Sequence, residues 1–145
     1  MTQNERDFQK LLKGMKKFPQ NVQKNIVNGS TRAAAAKIRA ATKSAVPIDT
    51  GNLKDAIVVR KGKSQDKTKT FYRVAVLYSR DKNRQITDGK DGYYATMVEY
   101  GTIHQVAQPF MRPAFEANWR TSVTVARNYI AKRLPKEVKK MKAGR

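Results

Sequence analysis

The stretches Pro47-Ile48-Asp49-Thr50-Gly51-Asn52-Leu53 and Tyr94-Ala95-Thr96-Met97-Val98-Glu99-Tyr100-Gly101-Thr102, the second running on to Gln108-Pro109-Phe110-Met111-Arg112-Pro113-Ala114, decide how this chain folds. In the first, Pro47 ends the helix before it, because its ring removes a backbone donor and clashes with the preceding turn. Asp49 or Thr50 can then cap a short new turn by accepting from unpaired backbone N–H groups. Leu53, Ala56 and Ile57 point inward. In the second, Tyr94, Met97 and Val98 fall on one side at helical offsets over 93–100, although a strand is a rival reading. Gly101 sits where a left-handed C-terminal cap is wanted. Pro109 and Pro113 bracket an extended Phe110-Met111 step, and Pro113 suits the first position of a last helix. Gly51 and Gly101 are both expected in backbone conformations that a Cβ would oppose.

Working outward, Phe8, Leu11, Leu12 and Met15 recur at helical spacing within a helix over 4–17, which Phe18-Pro19 interrupts. A longer helix over 20–43 follows, about 36 Å long at 1.5 Å per residue. Its inward stripe is Val22, Ile26, Ser30, Ala34, Ile38 and Ala41, with Gly29-Ser30 a place where it can bend. Residues 57–60 and 70–78 read as two strands of a hairpin, Tyr72, Val74, Val76 and Tyr78 sharing one face. Residues 79–92 hold glycines and basic residues with almost nothing apolar, the pattern of an exposed loop. A short strand over 102–106 comes next. The last helix, over 113–134, repeats Phe115, Trp119, Val123, Ala126, Ile130 and Leu134, and Phe110, Phe115 and Trp119 are expected in the core. The fold class is therefore α+β: long N- and C-terminal helices packed on a small, mainly antiparallel sheet with long basic loops. Residues 1–134 form one domain, with helix 4–17 peripheral, and 135–145 form a basic flexible tail.

The chain of 145 residues carries 31 Lys and Arg against 11 Asp and Glu, a formal charge of +20. Such a field favours polyanions or acidic protein surfaces without choosing between them. An apolar share of 39% is low for a self-sufficient globule, so neighbouring subunits are expected to cover part of the surface. The absence of cysteine excludes disulfides and thiolate metal sites and suits a reducing compartment. No apolar run approaches the roughly 20 residues of a membrane span, and the first ten residues are too polar for a secretory signal. The reading is a protein soluble in the cytosol when made, without membrane contact.

Chemistry-bearing groups are sparse. His104 is the only histidine, and no phosphate loop, paired-His spacing or nucleophile elbow accompanies it. No catalytic residue, metal or cofactor is expected. Glu99, an acid between apolar neighbours, either pairs with Arg112 or a basic residue of an adjacent subunit, or faces solvent. Lys61, Lys63, Arg80, Lys82, Arg84, Lys136, Lys139 and Lys140 are candidates for contacts with DNA phosphates or a protein partner. They form no base-reading helix, so any nucleic-acid binding should be sequence-nonspecific.

Taken together, Pro47, Thr50, Gly51 and Leu53, then Tyr94, Glu99 and Gly101, then Pro109, Phe110, Arg112 and Pro113 resemble the minor tail or neck (head-tail joining, tail-completion) component family of long-tailed bacteriophages. The resemblance implies a noncatalytic structural protein of the virion, assembled in the host bacterial cytoplasm. It implies a homo-oligomeric ring, six-fold where it meets the tail, around the channel that DNA passes. Its partners would be head-closure or connector, tail-terminator or tail-tube proteins, with nonspecific contact to DNA in the channel. A sequence-nonspecific nucleic-acid-binding protein is the alternative, and a small ribonuclease-like enzyme using His104 and Glu99 is the third reading.

Overall fold

The computed structural model describes residues 3–16, 18–47, 52–64, 69–78 and 92–143. In chain order these form helices α1 (Gln3–Met15), α2 (Gln20–Ala45) and α3 (Asn52–Ala56), strands β1 (Ile57–Lys61) and β2 (Tyr72–Val76), then α4 (Ala95–Tyr100) and α5 (Met111–Ala143). The fold is α+β. Asp49, Thr50, Gly51, Arg80, Lys82 and Arg84 lie outside the described residues.

Helix α2 is the axis. It starts immediately after Pro19, whose carbonyl accepts from Val22 and Gln23 N–H at 3.0 and 3.1 Å. It stops at Val46, still bonded to the Thr42 carbonyl at 3.2 Å, before the exposed Pro47. Between these prolines Ala33-Ala34-Ala35-Ala36 supplies strong helix propensity and no breaker intervenes. Its buried positions are Ile26, Ser30, Ile38 and Thr42, and the Ser30 and Thr42 hydroxyls donate to the Val27 and Ile38 carbonyls, both at 2.9 Å. Gly29 does not break the helix. An added Cβ there would collide with the Tyr129 ring of α5, so this glycine lets the two long helices approach closely.

Helices α2 and α5 run antiparallel, with a core at each end. At one end Met15 and Phe18 close over Ile26 of α2 and Ile130 and Leu134 of α5, with Phe8, Leu11 and Val22 against them. Helix α1 is thus tied to the long pair through Met15. At the other end Val46, Leu53, Ile57, Ala95, Val98 and Phe110 form the second core, with Val74, Val76, Tyr94 and Met111 packed on it. Strands β1 and β2 pair antiparallel, Ile57 opposite Val76 and Lys61 opposite Tyr72. The Arg39 Nε donates to the Ile57 carbonyl at 2.9 Å and pins the sheet to α2.

The structure corrects several expectations. Residues 102–106 make a tight turn closed by an isolated bridge between Thr102 and Gln105 instead of a strand. Strand β2 is shorter than the predicted 70–78, and Met97 of α4 is exposed while Ala95 and Val98 are buried. Helix α5 opens at Met111, so Pro113 is its third residue and only Phe110 remains of the extended step. The helix also passes through Pro135 and continues to Ala143, where a flexible tail was predicted. Proline removes one intrahelical bond, but Leu134 is anchored in the core and Arg133 Nε reaches Glu137 at 2.9 Å, bridging the gap. Replacing Pro135 with Ala is therefore expected to raise stability by about 1 kcal/mol and increase helix content, read by thermal melting in circular dichroism.

The largest correction concerns which face of α5 is inside. Phe115 and Trp119, predicted to be core, and Val123 of the same predicted stripe are 56%, 44% and 47% exposed. The buried positions at this end are Ala114 and Ser122, one residue earlier on the helix. Small residues occupy the buried positions of α5 at this end, and the larger side chains next to them face outward. At Ile130 and Leu134 the predicted stripe is buried.

Candidate functional site

The start of α5 is where the two motifs meet. Leu53 from the first and Phe110 from the second lie in one core, and Phe110 is 0% exposed. No Ser, Thr, Asp or Asn precedes Met111 to cap the helix; the approach is Gln108-Pro109-Phe110. The unpaired donors are taken instead by Glu99, from the end of α4. One carboxylate oxygen accepts from Phe110 N–H at 2.8 Å and Met111 N–H at 3.0 Å, and the other accepts from Arg112 N–H at 3.2 Å. The next residue is Pro113, which has no N–H to satisfy, so one side chain and one proline complete the first turn.

The position of Glu99 also follows from Gly101. Its φ is 76° and ψ 177°, a glycine conformation distinct from the left-handed cap predicted for it. A Cβ there would stand 2.8 Å from Ala107 N and 2.9 Å from the Gln105 carbonyl oxygen, both backbone atoms that cannot swing aside. This reversal leads into the turn where Thr102 N–H donates to the Gln105 carbonyl at 2.8 Å and His104 N–H to the Thr102 hydroxyl at 3.2 Å. Gln108 N–H then returns to the Val98 carbonyl at 2.8 Å, which sets Phe110 beside Glu99. Replacing Gly101 with Ala is expected to cost about 2 kcal/mol, measured by urea denaturation, through strain at positive φ and the backbone collision.

Electrostatics reinforce the clamp. Burial of the Glu99 carboxyl pushes its pKa up and is the largest single influence. The backbone donors of Met111, Phe110 and Arg112, together with the Arg112 charge, outweigh it, so the group sits below its ordinary value of 4.5. The helix N-terminus favours a negative charge for the same reason. Neither an ion pair with Arg112 nor a solvent-facing side chain, two of the alternatives for Glu99, describes the result: a backbone clamp holds it, to which the guanidinium adds only its charge. A signal for this was in the sequence: a helix start lacking any local cap needs an acceptor from elsewhere, and Glu99 is the nearest acid that precedes it.

The arrangement is poor for catalysis. The Glu99 oxygens are engaged by three backbone donors, while His104 stands exposed on the turn. Among the described residues no group of three or more His, Cys, Asp or Glu could hold a metal ion. No helix among them is long and apolar enough to cross a membrane. Tyr94 packs on the core and meets Tyr93 edge-on at 5.3 Å, and Pro109 is exposed.

The described basic candidates lie at two ends of the fold. Lys61 and Lys63 are exposed at the end of β1, whereas Lys136, Lys139 and Lys140 are exposed on α5 beyond Leu134, near the other core. Lys140 lies 4.0 Å from Glu137. Sequence reasoning missed a different feature. A groove of about 860 Å³ lies between α2, β2, α4 and the start of α5, lined by Tyr72, Val76, Tyr78, Tyr100 and Phe115 among others. Ile103 and Val106, on the turn after α4, are 94% and 85% exposed.

No curated protein and no solved structure matches this chain. A family model described as "Bacteriophage HK97-gp10, putative tail-component" matches residues 9–101. That span takes in most of α1, all of α2, α3, β1, β2 and α4, and the Gly101 reversal. With more than half of its length matched, the chain belongs to the HK97-gp10-like family of bacteriophage tail components.

Proposed function

We propose that this tail component is a noncatalytic joining protein of the phage neck. It forms a ring, six-fold where it meets the tail, between a head-closure or connector protein and the tail-terminator or tail-tube proteins. Assembly occurs in the bacterial cytoplasm, and the product stays in the virion. The observation that carries this reading is the family match over residues 9–101. The exposed Tyr100, Ile103, Val106, Phe115 and Trp119 support it, since apolar groups of this size and number on one protein mark surfaces that partners cover. Residues 1–134 act as one unit in this reading, which the span of α5 across both cores supports. Light scattering on the purified chain, alone and with neck proteins added, is expected to give multiples of its 16.5 kDa mass. A strict monomer in every mixture would oppose the ring.

The charge of +20 favours a second reading, a sequence-nonspecific nucleic-acid binder, in which Lys61, Lys63, Arg80, Lys82, Arg84, Lys136, Lys139 and Lys140 contact phosphates. Tight DNA binding by an isolated monomer, falling steeply with salt, would support that reading over the ring. In the neck the same residues would touch DNA in the channel without sequence preference.

A further inference from the structure

We propose that the turn over residues 101–109 is a knob that inserts Ile103 and Val106 into the aromatic groove of a second copy of this chain. The proposal rests on the ring reading and supplies its contact surface; the knob lies just beyond the residues that the family model matches. Three observations converge on it.

First, the turn is ordered yet uncovered. The Thr102–Gln105 bridge, the His104 N–H to Thr102 hydroxyl bond and the Gln108 return to Val98 hold its shape. Even so, Ile103 and Val106 point away from their own core and are almost wholly exposed. A floppy loop could hide such residues by collapsing, but the Gly101 reversal is pressed against Ala107 and Gln105 and fixes the projection.

Second, the knob is uncharged in a chain where 29% of residues are charged. From Tyr100 to Met111 there is no Asp, Glu, Lys or Arg. An acidic protein or a DNA backbone would be recognised by cations, which this stretch lacks. Two copies at +20 repel, so their contact needs a patch free of like charge, and the knob is such a patch.

Third, every copy carries a receptor. The groove is faced by Tyr72, Val76, Tyr78, Tyr100 and Phe115. Of its charged lining residues, Glu99 is engaged by backbone donors and Arg73 and Arg112 are the cations. Knob and groove are built from different residues of one chain, so each copy can offer both to its neighbours.

Sedimentation velocity on the full chain tests this with two variants at exposed positions, so folding is preserved and checked by circular dichroism. Ile103→Asp with Val106→Asp removes the knob, and Phe115→Asp spoils the groove. Each is expected to weaken self-association about thirtyfold or more. Mixed in equal amounts, the two are expected to form a one-to-one dimer that grows no further, since one intact knob and one intact groove remain. Wild-type association should strengthen as salt rises from about 0.05 to about 0.5 M, because screening removes repulsion and leaves the apolar contact. Unchanged sedimentation of both variants, no dimer in the mixture, or wild-type association that weakens with salt would overturn the proposal, the last pointing to an acidic or nucleic-acid occupant. Wild type that stops at a dimer or grows without closing, while the variants still dissociate, would keep the contact and remove the ring.

Discussion

Phe110→Ala is expected to destabilise the protein by about 3–5 kcal/mol, more than any other single truncation in either core. Phe110 is fully buried where Val46 and Leu53 from the first motif, Ile57 of β1, and Ala95 and Val98 of α4 come together. Removing its ring leaves a cavity that these neighbours cannot close, because α4 and α5 are tied together at that point by the Glu99 clamp and the Gln108–Val98 bond. Urea denaturation with an unchanged slope would show the loss as a shift in midpoint alone. Phe115→Ala serves as the contrast. That ring is 56% exposed, so the same truncation a turn further along should change the stability of the isolated chain by less than about 1 kcal/mol.

Glu99→Ala is expected to cost about 3 kcal/mol. It strips the acceptor from three donors at once, two of them on the partly buried Phe110 and Met111 N–H groups. The third, on Arg112, lies at the exposed edge, where water replaces the lost partner. Glu99→Gln should cost less, about 1 kcal/mol, since its carbonyl still accepts from Phe110 and Met111 while its NH2 faces the Arg112 donor. The clamp also predicts a pH signature. Because the folded carboxyl is held below its ordinary value of 4.5, the stabilisation is complete above that value and is lost as pH falls through the lower folded one. The stability difference between wild type and Glu99→Gln should therefore shrink between about pH 5 and about pH 3. A difference that stays constant across that interval would mean that the negative charge is not what holds α5.

What the sequence made legible was local. Pro19 and Pro47 bound α2 almost to the residue, the alternation through Tyr72, Val74 and Val76 marks β2, and Gly101 announces a reversal at the end of α4. Each is a short-range consequence of backbone sterics or side-chain period. The hidden parts depend on partners distant in the chain. Placing large residues inward selects Phe115, Trp119 and Val123, yet the buried positions there are Ala114 and Ser122, on a helix that packs against α2, an element far earlier in the chain. Pro135 reads as a helix end because the anchoring of Leu134 and the Arg133–Glu137 pair are invisible to propensity. At the site, the importance of Glu99 and its neighbours was apparent, but the role was not: an acid in a basic chain suggests a cation, whereas here the partners are three backbone N–H groups.

These features give the molecule a consistent division of labour. The clamp and the Gly101 reversal fix the junction between α4 and α5, while Ile103 and Val106, which the junction projects, are exposed. A structural role in a tail assembly uses surfaces of that kind, and the charge of +20 suits acidic neighbours or DNA close by.

Electron microscopy of phage particles made without this protein tests the joining role most directly. Filled heads standing apart from finished tails are the expected result, restored to joined particles when the chain is supplied. Intact, infectious virions formed in its absence would contradict it.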